Sequence, residues 1–131
     1  MELARLVQKD ISYVRQNKIA CAEHLAKEYG IIVVAKGAHT IIATPDKTYL
    51  NPTGNPGMST AGSGDVLTGM IVSLLAQGCP ADVAAVLGVY LHGKCGDVAS
   101  QTCGYMSQIA SDLLRAIPKV LSNYEHISDV D

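Results

Sequence analysis

Along residues 1–29, apolar side chains return every three or four positions. Leu3, Leu6 and Val7 make one such set, and Ile19, Ala22, Leu25, Ala26 and Tyr29 make another. That spacing is the helical period, and the gap between the sets predicts two helical segments. Gly30 stands where a helix C-cap glycine is expected. The pattern then changes. IIVVAK, at 31–36, is β-branched and apolar without alternation, which predicts a central strand covered on both faces of a sheet. Gly37 to His39 reads as a turn and TIIAT, at 40–44, as a second strand. Pro45-Asp46-Lys47 reads as another turn, and TYL, at 48–50, as a third short strand.

The helical period resumes at 65–78, DVLTGMIVSLLAQG, and stops at Gly78. After Pro80 a longer helix is expected over 81–100. It is dense in Ala and Gly and apolar on most sides, which predicts burial. A last amphipathic helix opens near Ser111, with Leu113, Leu114, Ile117, Val120 and Leu121 on one face and Pro118 expected to interrupt or bend it. The tail EHISDVD is expected to fray. The order of helix, three strands, loop and three helices is that of an α/β protein. Three short strands are few for a sheet covered on both faces, so the strand at 31–35 calls for neighbours that these residues do not all supply.

Between the strands and the later helices lies NPTGNPGMSTAGSGDVL, residues 51–67. It is too poor in apolar side chains to be core. Its end, AGSGD, opens a helix, where backbone N–H groups are unpaired and the helix dipole favours an anion. Gly62 and Gly64 let the main chain approach a phosphate closely, and Ser63 adds a hydroxyl. Asp65, in the first turn, is placed to take a proton from a hydroxyl that attacks such a phosphate. The plain alternative is an ordinary capped helix, with Ser63 or Asp65 as N-cap and the glycines as a turn. Neither the Walker A spacing nor GxGxxG is present.

Composition narrows this further. The 131 residues are 48% hydrophobic and 17% charged, which allows one domain with a real core. The net charge of −2 and the absence of a Lys/Arg cluster argue against nucleic-acid binding. No apolar run approaches the ~20 residues that a membrane helix needs, and the N-terminal stretch has no secretory pattern. The cysteines at 21, 79, 95 and 103 form no CxxC pair, so they read as reduced thiols of a cytosolic protein and not as a zinc site. His92 reads as a satisfied core histidine, and Asp97 as a solvated or capping residue. Asn51 and Asn55 read as turn formers.

NPTGNPGMSTAGSGDVLTGMI, with VVAKGAHTIIATPD before it and AAVLGVYLHGKCGDVAS after it, resembles the C-terminal part of the ADP/ATP-dependent NAD(P)H-hydrate dehydratases, members of the ribokinase-like superfamily. The resemblance runs from about residue 2 to 121. It implies the C-terminal half of a three-layer α/β/α fold, with residues 1–131 as one partial domain. It implies a metabolite-repair lyase that returns hydrated NADH or NADPH to the normal cofactor, with ADP or ATP as phosphoryl donor and Mg²⁺. Through it, Asp65 matches the aspartate that contacts the substrate and deprotonates its hydroxyl. Gly62, Ser63 and Gly64 match the anion-binding turn, while Lys36, Gly37, Ala38, His39 and Thr40 match a KGxxT-type nucleotide segment. Without the resemblance, Lys36-Gly37 reads as a plain strand-ending turn.

The chain departs from the family in length. MELARL resembles the tail of an HPGELARL-type motif whose His and Pro are missing here. The expectation is a half domain that carries the nucleotide site, lacks most of the substrate site, and has a sheet edge that must pair with another copy or with a missing N-terminal half. A small-molecule kinase of the same superfamily shares AGSGD. A fragment that binds nucleotide but is inactive alone is a third reading.

Overall fold

The computed structural model describes residues 2–124. The N-terminal region folds as three helices where two segments were expected: α1 (Glu2–Leu6), α2 (Ile11–Gln16) and α3 (Lys18–Tyr29). The chain turns after α1 at Gln8, a non-glycine residue at φ 51°. At the end of α3, Gly30 sits at φ 62°, and both its N–H and that of Ile31 donate to the Ala26 carbonyl. This is the predicted glycine cap.

Three strands follow: β1 (Val33–Ala35), β2 (Ile41–Ala43) and β3 (Thr48–Leu50). They form an antiparallel meander in the order β1-β2-β3, with Val34 opposite Ile42 and Ile42 opposite Tyr49. The expected turn at Pro45-Asp46 is present, closed by Thr44 and Lys47 bonding each other's main chain. The expectation that 31–36 is a central strand needs correction: β2 is the middle strand, and β1 has one free edge among the described residues. The apolar run does reflect cover on both faces, but that is a property of the layers and not of strand order.

Alternation along β2 sets the layers. Ile41 and Ala43 pack with Ala22 and Ala26 of α3. Ile42, only 1% exposed, points the other way, onto the two long helices that follow, α4 (Ser63–Ala76) and α5 (Ala81–Cys103). There it meets Leu67, Ala85 and Val89. Burying a side chain of that size contributes about 1.5–3 kcal/mol. The last helix, α6 (Ala110–Ser122), closes a second core in which Leu113 and Val120 pack on Val66, Leu91 and Cys95. α6 opens with the Ile109 N–H bonded to the Asp112 carboxylate and runs through Pro118 without interruption. The carbonyl that Pro118 cannot reach belongs to Leu114, on the exposed side, where water can take it. The expected tail EHISDVD lies outside the described residues.

α5 is as buried as its composition predicts. Its glycines let other chains come close: a Cβ at Gly88 would lie 2.6 Å from Ile71 Cγ1, and one at Gly93 would lie 2.0 Å from Thr53 Oγ1. The second of these contacts fixes the loop that leads to α4.

Candidate functional site

The loop from Asn51 to Gly62 is built by its own polar side chains. The Asn51 N–H donates to the Thr40 carbonyl at 2.9 Å, which ties the loop to the turn after β1. Asn51 is buried, and its amide donates to the Thr53 carbonyl while its oxygen faces the Thr53 hydroxyl. That hydroxyl also lies 2.9 Å from the Tyr90 carbonyl of α5. Asn55 accepts from the Gly57 N–H and so caps a single 3₁₀ turn, Pro56–Met58. Both asparagines are therefore the turn formers they were read as. Asp97 does more than expected. One of its carboxylate oxygens accepts from the Gly54 N–H at 3.1 Å and the other from the Asn55 amide at 3.2 Å. It staples the loop to α5 across more than forty residues of sequence.

This scaffold presents the start of α4. Its cap position is Gly62, at φ 83°, and no side chain caps it. The plain alternative of a Ser63 or Asp65 N-cap is therefore not what forms. The N–H groups of Gly62 and Gly64 have no partner among the described residues. Lys36, the residue after β1, brings its side chain to this point. Its Nζ stands 2.7 Å from where a Cβ on Gly64 would be. Unpaired amides, the positive end of a helix and an ammonium converge on one spot, the arrangement that binds an anion.

Ser63 is buried beneath that spot. Its carbonyl accepts from His92 Nε2 at 2.9 Å, and its hydroxyl lies 3.4 Å from the same nitrogen. Burial pushes the His92 pKa down, and the Lys36 charge pushes the same way against the opposing effect of the Ser63 carbonyl. His92 is thus a neutral imidazole with Nε2–H donating, the satisfied core histidine of the sequence reading. Asp65 is exposed in the first turn of α4, with its N–H on the Gly62 carbonyl. A carboxylate there adjoins the anion spot without blocking it.

A cavity of about 540 Å³ opens between the turn after β1 and the loop. All five residues Lys36, Gly37, Ala38, His39 and Thr40 line it, together with Ser63. Gly62, Gly64 and Asp65 stand beside Ser63 at the start of α4 but are not part of the lining. Thr40 closes its own turn by donating to the Gly37 carbonyl at 3.3 Å. The facing wall is hydroxyl- and amide-rich, from Asn51, Thr53, Asn55, Ser59 and Thr60. Sequence reading gave Thr53, Ser59 and Thr60 no role, since a polar loop residue carries no signal of what it faces. Among the described residues, no three His, Cys, Asp or Glu side chains gather where a metal ion could be held. No helix of the described residues is long and apolar enough to cross a membrane.

A family model described as NAD(P)H-hydrate dehydratase matches residues 1–119. The bifunctional NAD(P)H-hydrate repair enzyme Nnr of Moorella thermoacetica is 48% identical over 125 residues, which are 95% of this chain and 24% of that protein. The ADP-dependent (S)-NAD(P)H-hydrate dehydratase of Neisseria meningitidis is 44% identical over 86% of this chain and 37% of its own length. Among solved structures, the ADP/ATP-dependent NAD(P)H-hydrate dehydratase of Bacillus subtilis, co-crystallized with ATP/Mg²⁺, superimposes with a TM-score of 0.89 at 31% identity, over 95% of this chain and 45% of that one. A ribokinase-like superfamily protein from Enterococcus faecalis gives a TM-score of 0.72 at 30% identity, over 85% of this chain and 38% of that one. The chain thus spans about a quarter to under half of the length of these relatives. Its fold is ribokinase-like.

Proposed function

The chain belongs to the NAD(P)H-hydrate dehydratase family, and we propose that it carries the nucleotide half-site of a domain that dehydrates NAD(P)H hydrate. The observation that carries this reading is the approach of the Lys36 ammonium to Gly64. It joins two stretches far apart in sequence into one anion site beside an unencumbered carboxylate. The phosphates of ADP or ATP sit on the Gly62 and Gly64 amides with Lys36 as counter-charge. The 36–40 turn lies along the rest of the nucleotide in the cavity.

Chemistry follows from the position of Asp65. The terminal phosphoryl group passes to the hydrate hydroxyl, whose proton goes to Asp65. Phosphate then leaves with the C–O electron pair, a neighbouring ring carbon gives up a proton, and the double bond of NAD(P)H is restored. The other products are AMP from ADP, or ADP from ATP. Mg²⁺ fits as the companion of the nucleotide phosphates, since it keeps much of its water and asks for only one or two carboxylates.

The remaining wall of the substrate site is supplied from outside these residues, by a second copy of the chain or by a further stretch of polypeptide. A groove of about 1490 Å³ opens between the sheet and α1–α3, with all three residues of the edge strand β1 in its lining. Leu3, Leu6, Val14, Ile19, Val33 and Val34 line it, and Leu6 and Ile19 are at least half exposed. An unpaired edge with apolar flanks is a site for strand addition. Either the rest of a longer ribokinase-like domain or a second copy of the chain satisfies it, in the cytoplasm, where the reduced thiols also belong. Titration of the chain with ADP and Mg²⁺, followed by addition of hydrated NADH, tests the reading. Return of the NADH absorbance supports it. Phosphorylation of a simple alcohol with no NADH return assigns the chain to the small-molecule kinases instead.

A further inference from the structure

Lys18 opens α3, and its side chain ends against the turn after β1. Its Nζ donates to the His39 carbonyl at 3.3 Å. The same nitrogen is 2.8 Å from where a Cβ on Gly37 would be. The ammonium therefore fills the inside of the 37–40 turn and holds its main chain by one bond. The far end of that turn is held by the Thr40 carbonyl, which accepts from Asn51. Lys18 is partly buried, burial pushes its pKa down, and no acidic side chain pairs with it among the described residues. Lys18 lies outside the 540 Å³ cavity, on the groove side of the turn, so it reaches the cavity only through the backbone it bonds.

We propose that Lys18 is a positioning residue for the nucleotide site: its ammonium sets the main chain of residues 37–40 and thereby the wall of the cavity those residues form. The proposal rests on the reading of that cavity as the nucleotide site. It differs from the role of Lys36, which meets the anion directly. A lysine acting through the turn serves any nucleotide alike, whereas a lysine touching phosphate favours the nucleotide with more phosphates.

The test compares the wild-type chain with Lys18→Met and Lys18→Arg. Two readouts are used: backbone ¹⁵N relaxation of residues 37–40 without ligand, and the affinities for ADP and AMP. In Lys18→Met, order parameters at 37–40 are expected to fall from about 0.85 toward 0.6, while the rest of the chain is unchanged. Affinity is expected to fall about five- to tenfold for ADP and AMP equally, the scale of one hydrogen bond to a charged group in a partly exposed setting. Lys18→Arg, which keeps a charged donor, is expected to restore both. Unchanged relaxation at 37–40 overturns the proposal. So does a loss confined to ADP, which assigns Lys18 a direct phosphate contact. If the wild-type chain binds neither nucleotide, the functional reading fails, and the relaxation arm alone still decides whether Lys18 sets the turn.

Discussion

Substituting Gly93 by alanine tests whether the loop before α4 is held by contact with α5. A Cβ there would lie 2.0 Å from Thr53 Oγ1 and 2.7 Å from the Thr53 backbone carbon. The second of these atoms is main chain and cannot swing aside, so the loop must retreat by more than an ångström. Retreat breaks the Thr53 hydroxyl bond to the Tyr90 carbonyl and strains the Gly54 bond to Asp97. Overpacking of this kind costs about 1–3 kcal/mol. The two bonds add about 0.5–1.5 kcal/mol each. Alanine returns about 1 kcal/mol of helix propensity. The expected net loss is about 1–5 kcal/mol, centred near ~3, or a fall in Tm of about 10 °C for a domain of this size. Thermal and urea denaturation followed by circular dichroism measure it. A Thr53→Ala background removes the nearest atom, so the two substitutions are expected to couple by at least ~1 kcal/mol. A loss below ~1 kcal/mol, or strict additivity with Thr53→Ala, refutes the argument that Gly93 is where the loop is clamped.

Gly64→Ala places its Cβ against the movable end of Lys36 rather than against main chain; ADP affinity in a calorimetric titration is expected to fall about tenfold, with stability unchanged or raised by up to about 1 kcal/mol from helix propensity. Asp65→Asn is expected to lower turnover of hydrated NADH by about 10²–10⁴-fold while ADP still binds, and equal turnover by the variant removes Asp65 from proton transfer. His92 is pushed below its ordinary pKa of 6.5 in the folded chain, so the unfolded chain binds the extra proton first as pH falls. Its contribution to stability is therefore complete above about 6.5 and is lost as pH drops through and below that value toward the folded pKa. A Tm profile between pH 8 and 5 should flatten in His92→Asn relative to wild type, and parallel profiles contradict the assignment.

Much of the fold was legible in the sequence because local rules decide it. Gly30 ends α3 as a left-handed cap, and β3 occupies the predicted residues Thr48–Leu50. Strand order was not legible. The run at 31–36 is apolar because α3 and α4–α5 cover its two faces, and that pattern is the same for a middle strand and for an edge. The break between α1 and α2 turns on Gln8 at positive φ, a conformation for which glutamine gives no signal. In the site, the 36–40 turn and Ser63 do meet around one cavity. What sequence reading missed are long-range contacts between ordinary residues: Asp97 on the loop 42 positions away, and Lys18 on His39 at a separation of 21. A lone lysine at a helix start is most often solvated, and nothing local distinguishes this one.

In the proposed function, the start of α4 and Lys36 form one phosphate site. Calorimetric titration of ADP with Mg²⁺ into the folded wild-type chain and into Lys36→Met tests it most directly. Saturable binding of one ADP per chain is expected, weakened about 10- to 100-fold in the variant, the scale of one charge-assisted contact. Equal ADP affinity in the two proteins, or no binding by a wild-type chain shown to be folded, would contradict it.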